Sequence, residues 1–333
     1  MAGKQINNKV NNQADNRESS ISNNKSINKV GRNKHILHKI YDQRYLLIFV
    51  LPCIIWFIIF SYIPMCGIIV AFKNYNLADG FLHSPWVGFK YFGQFFRNYY
   101  FKLVMRNTVC ISFIKLALGT PIPIIFALLL NEMKSMTYKR ITQTISYLPH
   151  FLSWVVVLGI VRKMLSIDGG VVNQIIIALG GQPRNFLSEP GVMWPLAYIT
   201  EVWKEAGWGA IIYLAALTSI DISLYEAAIV DGANRFQKIW HISLPGIRAT
   251  ITIIFILSVS NIFNSNFDQL YLLGTPPVID KVEVIDTYIY RNNLQNFQYS
   301  LGTAVGLFKS VLNIALLFIA NKISKSLVGE GLL

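Results

Sequence analysis

Hydrophobic positions arrive in long blocks separated by short polar stretches, and the first block, Tyr45 to Ala71, is apolar over about 27 residues. A helix needs roughly 20 apolar residues to cross about 30 Å of hydrocarbon, so this block predicts a membrane crossing, with Pro52 and Pro64 as candidate kinks. It follows a long polar tail and exceeds the roughly 7–15 apolar residues of a cleaved leader, so it is expected to persist in the mature protein. Further blocks run from Thr108 to Leu130, Ile145 to Val161, Met193 to Leu217, Thr250 to Tyr271 and Leu301 to Ile323, each near the length of one span. The pattern predicts an all-α membrane protein with six transmembrane helices, which puts both termini on one side. Residues 1–40 are rich in Asn, Lys and Ser, cannot bury enough apolar surface to offset the entropy of ordering, and read as a disordered tail; residues 41–333 form the membrane domain.

Composition sharpens this picture. The 333 residues are 53% hydrophobic and only 14% charged, too apolar for a typical soluble protein. A net charge of +13 suggests nucleic acid, but there is no soluble nucleic-acid-binding motif on which the cations could form a stripe, and their placement around the apolar blocks explains them instead. Lys25, Lys29, Arg32, Lys34, Lys39 and Arg44 precede the first span, Lys134, Lys139 and Arg140 follow the second, and Lys322 and Lys325 end the last. The positive-inside tendency therefore places both termini in the cytoplasm, against the opposing cations Lys73, Lys90, Arg97, Lys102 and Arg106 of the first outer loop. Within that loop Lys90 to Met105 mixes Tyr and Phe with Lys and Arg, as a helix lying in the membrane interface does, and an outer aromatic surface for substrate or a binding protein is the alternative. Cys53, Cys66 and Cys110 lack metal-ligand or paired spacing and read as small buried hydrophobes.

The link between the fourth and fifth spans, Ser219 to Gly246, is more specific than a simple connection requires. Ser223 and Glu226 make an S-x-x-E capping box that starts a short helix at Leu224, with the Glu226 carboxylate in its first turn, and Ala227 and Ala228 keep part of its surface low. Gly232 can take a positive φ and turn the chain, Phe236, Ile239, Trp240 and Ile242 supply apolar surface for a second short helix, and Pro245 suits the start of the fifth span.

The stretch from Glu226 through Ala233, followed by Ile242-Ser243-Leu244-Pro245, resembles the EAA loop of permeases from binding-protein-dependent ABC importers. Tyr147-Leu148-Pro149, Gly169-Gly170-Val171-Val172-Asn173, Phe186-Leu187 and Asp286-Thr287-Tyr288-Ile289-Tyr290-Arg291 extend the likeness to the sugar permeases of the maltose-transporter superfamily, most of all its branch for oligosaccharides cut from polysaccharides. The resemblance covers roughly Tyr45 to Ser326. It implies six transmembrane helices with a cytoplasmic coupling-helix loop, in which Glu226, Ala227, Ala228, Gly232, Leu244 and Pro245 contact an ATPase. It also implies a second homologous permease, a cytoplasmic ATPase dimer that binds the ATP and Mg, and an extracellular solute-binding protein.

The chain itself has no G-x-x-x-x-G-K-[ST], H-E-x-x-H or G-x-S-x-G, and its five histidines are scattered, so no catalytic site or cofactor is expected in it. Charge inside a span tends to face a cavity or a partner. Tyr198, Glu201, Trp203, Lys204 and Glu205 in the fourth span, Asn261, Asn264 and Asn266 in the fifth and Lys309 and Asn313 in the sixth are candidates to line a substrate pathway, since aromatic faces and amides suit hydroxyl-rich rings. Interhelical packing, with Glu201 paired to Lys204 along one helix, is the plainer alternative. An ion-coupled secondary transporter using Glu201 and Glu205 as proton carriers is the competing functional class.

Overall fold

The computed structural model describes residues 43–264 and 266–328; the expected tail, residues 1–40, lies outside them. The chain divides into two compact units, Met1–Gly67 and Ile68–Leu333. Among the described residues no β-strand forms, and Lys73 and Trp86 make one isolated bridge. We label the main helices α1 (Arg44–Phe72), α2 (Lys90–Arg97), α3 (Phe101–Asn131), α4 (Met136–Phe151), α5 (Trp154–Leu165), α6 (Val171–Ala178), α7 (Met193–Thr218), α8 (Ile222–Val230), α9 (Arg235–Gly246), α10 (Arg248–Ser260), α11 (Phe267–Leu273) and α12 (Tyr299–Val328).

Helices α1, α3 and the Tyr299–Ser326 part of α12 are long and apolar enough to cross a membrane, and the number reaches six if each of three bent pairs is one span. Two blocks expected as continuous spans are broken. Ile145 to Val161 is divided between α4 and α5, which meet at 101°. Pro149 is buried in a tight turn that ends α4, and the Ser153 hydroxyl accepts from the backbone N–H of Val156 to cap α5. Thr250 to Tyr271 stops at Ser260 and resumes at Phe267. The Asn261 amide donates to the Leu257 carbonyl there, the side-chain-to-backbone competition that ends helices.

In the first unit the apolar side chains of α1, among them Phe49 and Trp56, are exposed. Cys53 and Cys66 lie on this exposed helix, contrary to the expectation of burial, and Cys110 is half-buried; all three are free thiols. In the second unit, one core joins Leu158 of α5 to Met193, Leu196 and Ala197 of α7 and Leu270 and Leu273 of α11. Another joins Ala127, Leu128 and Leu130 of α3 to Ala210, Tyr213, Leu214 and Leu217 of α7. A third joins Phe95 of α2, Val104 of α3, Tyr288, and Leu301 and Val305 of α12. In lipid, apolar contact alone drives little association, so close approach and polar links matter more. At Gly207 of α7 an added Cβ would fall 2.1 Å from the Ser146 carbonyl oxygen of α4, which only a residue without a side chain permits.

Polar side chains tie the irregular segment after α11 to its neighbours, as backbone away from water requires. The fully buried Asn107 amide donates to the carbonyls of Asp280 and Glu283, and the Thr108 hydroxyl accepts from the N–H of Ile285. Gln269 donates to the Ala197 carbonyl and the Thr200 hydroxyl. Arg291 pairs with Glu283 at 2.8 Å and donates to the carbonyls of Tyr271 and Gly274. Burial pushes the Glu283 carboxyl above its ordinary range, against the opposing pull of Arg291.

Candidate functional site

Two regions carry the residues singled out by sequence. The first is the loop that joins α7 to α10. Its opening helix, α8, begins at Ile222, two residues earlier than expected: Asp221 is the N-cap, and its carboxylate accepts from the backbone N–H of Ser223 at 2.9 Å. This bond holds the Asp221 carboxyl below its ordinary value. The expected Ser223–Glu226 capping box is therefore absent, and Glu226 is exposed beyond the first turn, where the helix dipole has faded. A reciprocal box forms instead at α9, where the Asn234 side chain accepts from Gln237 N–H and the Gln237 side chain accepts from Asn234 N–H.

Between the two helices Gly232 adopts φ +77°, and nothing lies within 4 Å of where its Cβ would be. The turn thus needs glycine for its backbone and not for space. The surface around it is apolar and, among the described residues, unpartnered: Val230 is 87% exposed, Phe236 84% and Trp240 70%. Ala227 and Pro245 are exposed, Ala228 and Leu244 half-buried. At the base of the loop the Tyr225 and Ser243 hydroxyls meet at 2.9 Å, and Ile247 is buried in the core built on α3 and α7.

The second region is a cavity of about 740 Å³ walled by α3, α7, α10 and the break after it. On α7 its lining starts at Tyr198, just past the first core's Ala197, and ends at Tyr213, a residue of the second core. Tyr198, Glu201, Asn261 and Asn264 line it. Trp203 is exposed elsewhere on α7, Lys309 pairs with Asp286 at 2.6 Å, and Asn313 accepts from the Phe263 N–H. The expected Glu201–Lys204 pairing does not occur. Glu201 meets Lys115 of α3 at 2.8 Å, across two helices. Lys204 is buried and donates to the His150 carbonyl at 2.6 Å and to Glu205 at 3.0 Å, while His150 Nδ1 meets the other Glu205 oxygen at 2.8 Å. The His150 ring stacks on Trp208 at 4.4 Å. Sequence reasoning passed over Lys115, although a lone lysine inside an apolar block was the available signal. Among the described residues no group of three or more His, Cys, Asp or Glu side chains is placed to hold a metal.

Residues 119–328 match the family described as the inner membrane component of binding-protein-dependent transport systems. The chain belongs to that family. It is 40% identical over 306 residues to the polygalacturonan/rhamnogalacturonan transport system permease protein YteP of Bacillus subtilis (strain 168), covering 92% of this chain and 95% of that one. It is 44% identical over 290 residues to protein LplB of the same organism, covering 87% and 91%. Among solved structures, a bacterial ABC transporter involved in the import of the acidic polysaccharide alginate superposes with a TM-score of 0.82 at 39% identity, over 88% of this chain and 99% of that one. A bacterial alginate ABC transporter in complex with an alginate pentasaccharide-bound periplasmic protein superposes with a TM-score of 0.82 at 39% identity, over 89% of this chain and 99% of that one. The protein is thus an integral membrane permease of the ABC import type, and the broken helices that departed from a simple six-span reading belong to a permease whose fold these structures share.

Proposed function

We propose that this permease moves oligosaccharides cut from polysaccharides across the cell membrane, as one of two homologous permeases seated on a pair of cytoplasmic ATPases and served by an extracellular solute-binding protein. Both termini lie in the cytoplasm, the 41–333 region is the transmembrane domain, and ATP with its Mg is bound and hydrolysed on the partner. The observation that carries the reading is the α8–Gly232–α9 projection, whose shape is fixed by its own caps and whose apolar tip has no partner among the described residues. Such an exposed apolar patch, built on short capped helices, is what a docking surface requires. Glu226, Ala227, Ala228 and Gly232 supply its face and turn, and Leu244 and Pro245 lead it back into α10.

Solute passes along the cavity wall at Tyr198, Glu201, Asn261 and Asn264, where amide and carboxylate groups can meet sugar hydroxyls. The sugar assignment is supported by the polysaccharides in the names of YteP and the alginate transporter.

The test is recovery of the ATPase with tagged permease. Glu226→Gln keeps size and removes charge; Glu226→Lys reverses it. Because Glu226 stands beyond the first turn, the difference must come from the partner contact and not from the helix dipole. Recovery is expected to fall about fivefold or more for the Lys variant and to remain near wild type for Gln. Equal recovery from both would show that the contact does not use this charge.

A further inference from the structure

Lys115 is the one cation among the described residues that line the cavity, and nothing in a pathway for neutral sugars calls for it. Asn261 and Asn264 already offer amide donors and acceptors there. An ion pair removed from water is, as a rule, no more stabilising than an apolar pair of the same shape, and ionisable groups inside a membrane domain tend to mark what passes through it.

The surroundings of the pair point the same way. The Lys115 side chain is 35% exposed and that of Glu201 15%, so the ammonium is the more accessible partner. Glu201 engages it through a contact of 2.8 Å, and an ammonium has three donors to give. One helical turn before Lys115 lies Ser112, and one turn before Glu201 lies Tyr198; residues three apart on a helix have their Cβ atoms about 5–6 Å apart. The Ser112 and Tyr198 hydroxyl oxygens are both enclosed without a hydrogen-bond partner. Two unsatisfied hydroxyls one turn away from this ion pair add two donors to those of the ammonium, a set suited to an acceptor with several lone pairs. The other carboxylate of the wall, Glu205, is held by Lys204 and His150 and does not compete.

We infer that Ser112, Lys115, Tyr198 and Glu201 form a subsite for a uronate unit of the transported oligosaccharide. The substrate carboxylate accepts from Lys115, Ser112 and Tyr198, and Glu201 accepts from a neighbouring ring hydroxyl. In the empty cavity Glu201 serves as the counter-ion that keeps Lys115 charged, and binding exchanges one carboxylate for another. This rests on the reading of the chain as an oligosaccharide importer and names the chemical class that it carries.

The experiment is ATP-dependent uptake of a labelled uronate-containing oligosaccharide by the complete transporter in proteoliposomes, beside a neutral oligosaccharide of the same length. Lys115→Gln is expected to lower uronate uptake about ten- to hundredfold, the cost of losing a hydrogen bond to a charged group, and Lys115→Arg to retain most of it. The double variant Lys115→Gln/Glu201→Gln separates recognition from structure, since it leaves no orphan charge. Uronate uptake that stays low in the double variant supports the subsite. Uptake restored in the double variant, or unaffected in Lys115→Gln, overturns it and makes the pair structural. Wild-type uptake of the neutral oligosaccharide alone also overturns the inference while leaving the importer reading in place, whereas no ATP-driven uptake of either sugar removes that reading itself.

Discussion

The α8–α9 loop and the wall of the cavity use hydrogen bonds over different ranges. In the loop, Asp221 reaches Ser223 two residues on, and Asn234 and Gln237 answer each other across three. The Tyr225–Ser243 contact, spanning 18 residues, closes its base. In and behind the wall, His150 meets Glu205 across 55 residues and Lys204 meets the His150 carbonyl across 54, while Lys115 and Glu201 come from separate helices. A shape held by near neighbours survives when the rest of the chain moves, which suits a part that must keep its form while a partner pulls on it. Charges held by distant neighbours exist only when the helices are in place, so the same contacts can report and regulate how those helices sit.

That difference sets an order for perturbations, from the wall to the loop. Gly207→Leu should have the largest effect, because its Cβ meets the backbone of Ser146 at 2.1 Å and neither helix can yield without dismantling the wall. We expect a loss above ~4 kcal/mol, seen as the absence of monodisperse protein in detergent; a well-folded variant would mean that α4 and α7 are not so closely tied. Lys204→Met should follow. It leaves the His150 carbonyl and Glu205 short of a donor, at a cost of about 2–3 kcal/mol, and should appear as a lower Tm than that of the wild type.

In the loop, Gly232→Val meets no neighbour, and its cost is the backbone strain of φ +77°, about 1–2 kcal/mol. The expected outcome is a permease present in the membrane at normal level whose ATPase turns over without matching uptake; normal uptake per ATP would show that the turn tolerates another geometry. The smallest effect belongs to Asp221. Its carboxyl titrates below the ordinary value, so its stabilisation of α8 is present above the unfolded-state value and is lost as pH falls through the lowered one. Amide exchange in Ile222–Val230 should therefore rise only below about pH 4, and Asp221→Asn should remove that pH dependence while keeping a side chain that can cap.

The range of the interactions also explains what could be read from residues alone. Long apolar blocks gave the positions of α1, α3, α7 and α12, and the Gly232 turn was legible because positive φ has a residue signature. The cap of α8 was misplaced by two residues because Asp221, Ser223 and Glu226 all satisfy local capping rules and only the backbone path chooses among them. The breaks at Ser153 and Asn261 lie inside blocks whose apolar content is high enough to hide one polar residue. Lys115–Glu201 was out of reach for another reason: Glu201 has a nearer lysine along its own helix, Lys204, and only the packing of α3 on α7 turns it to the farther one.

In the proposed function, solute movement through this permease is driven by ATP hydrolysed on a separate subunit and conveyed through the α8–Gly232–α9 loop. The most direct test is uptake of labelled oligosaccharide into proteoliposomes holding the permease pair, the ATPases and the binding protein, with ATP or an ion gradient supplied separately. Uptake that requires ATP, ignores proton and sodium gradients and disappears when the ATPase is omitted is the expected result. Uptake by the permease alone, following a proton or sodium gradient without ATP, would contradict it.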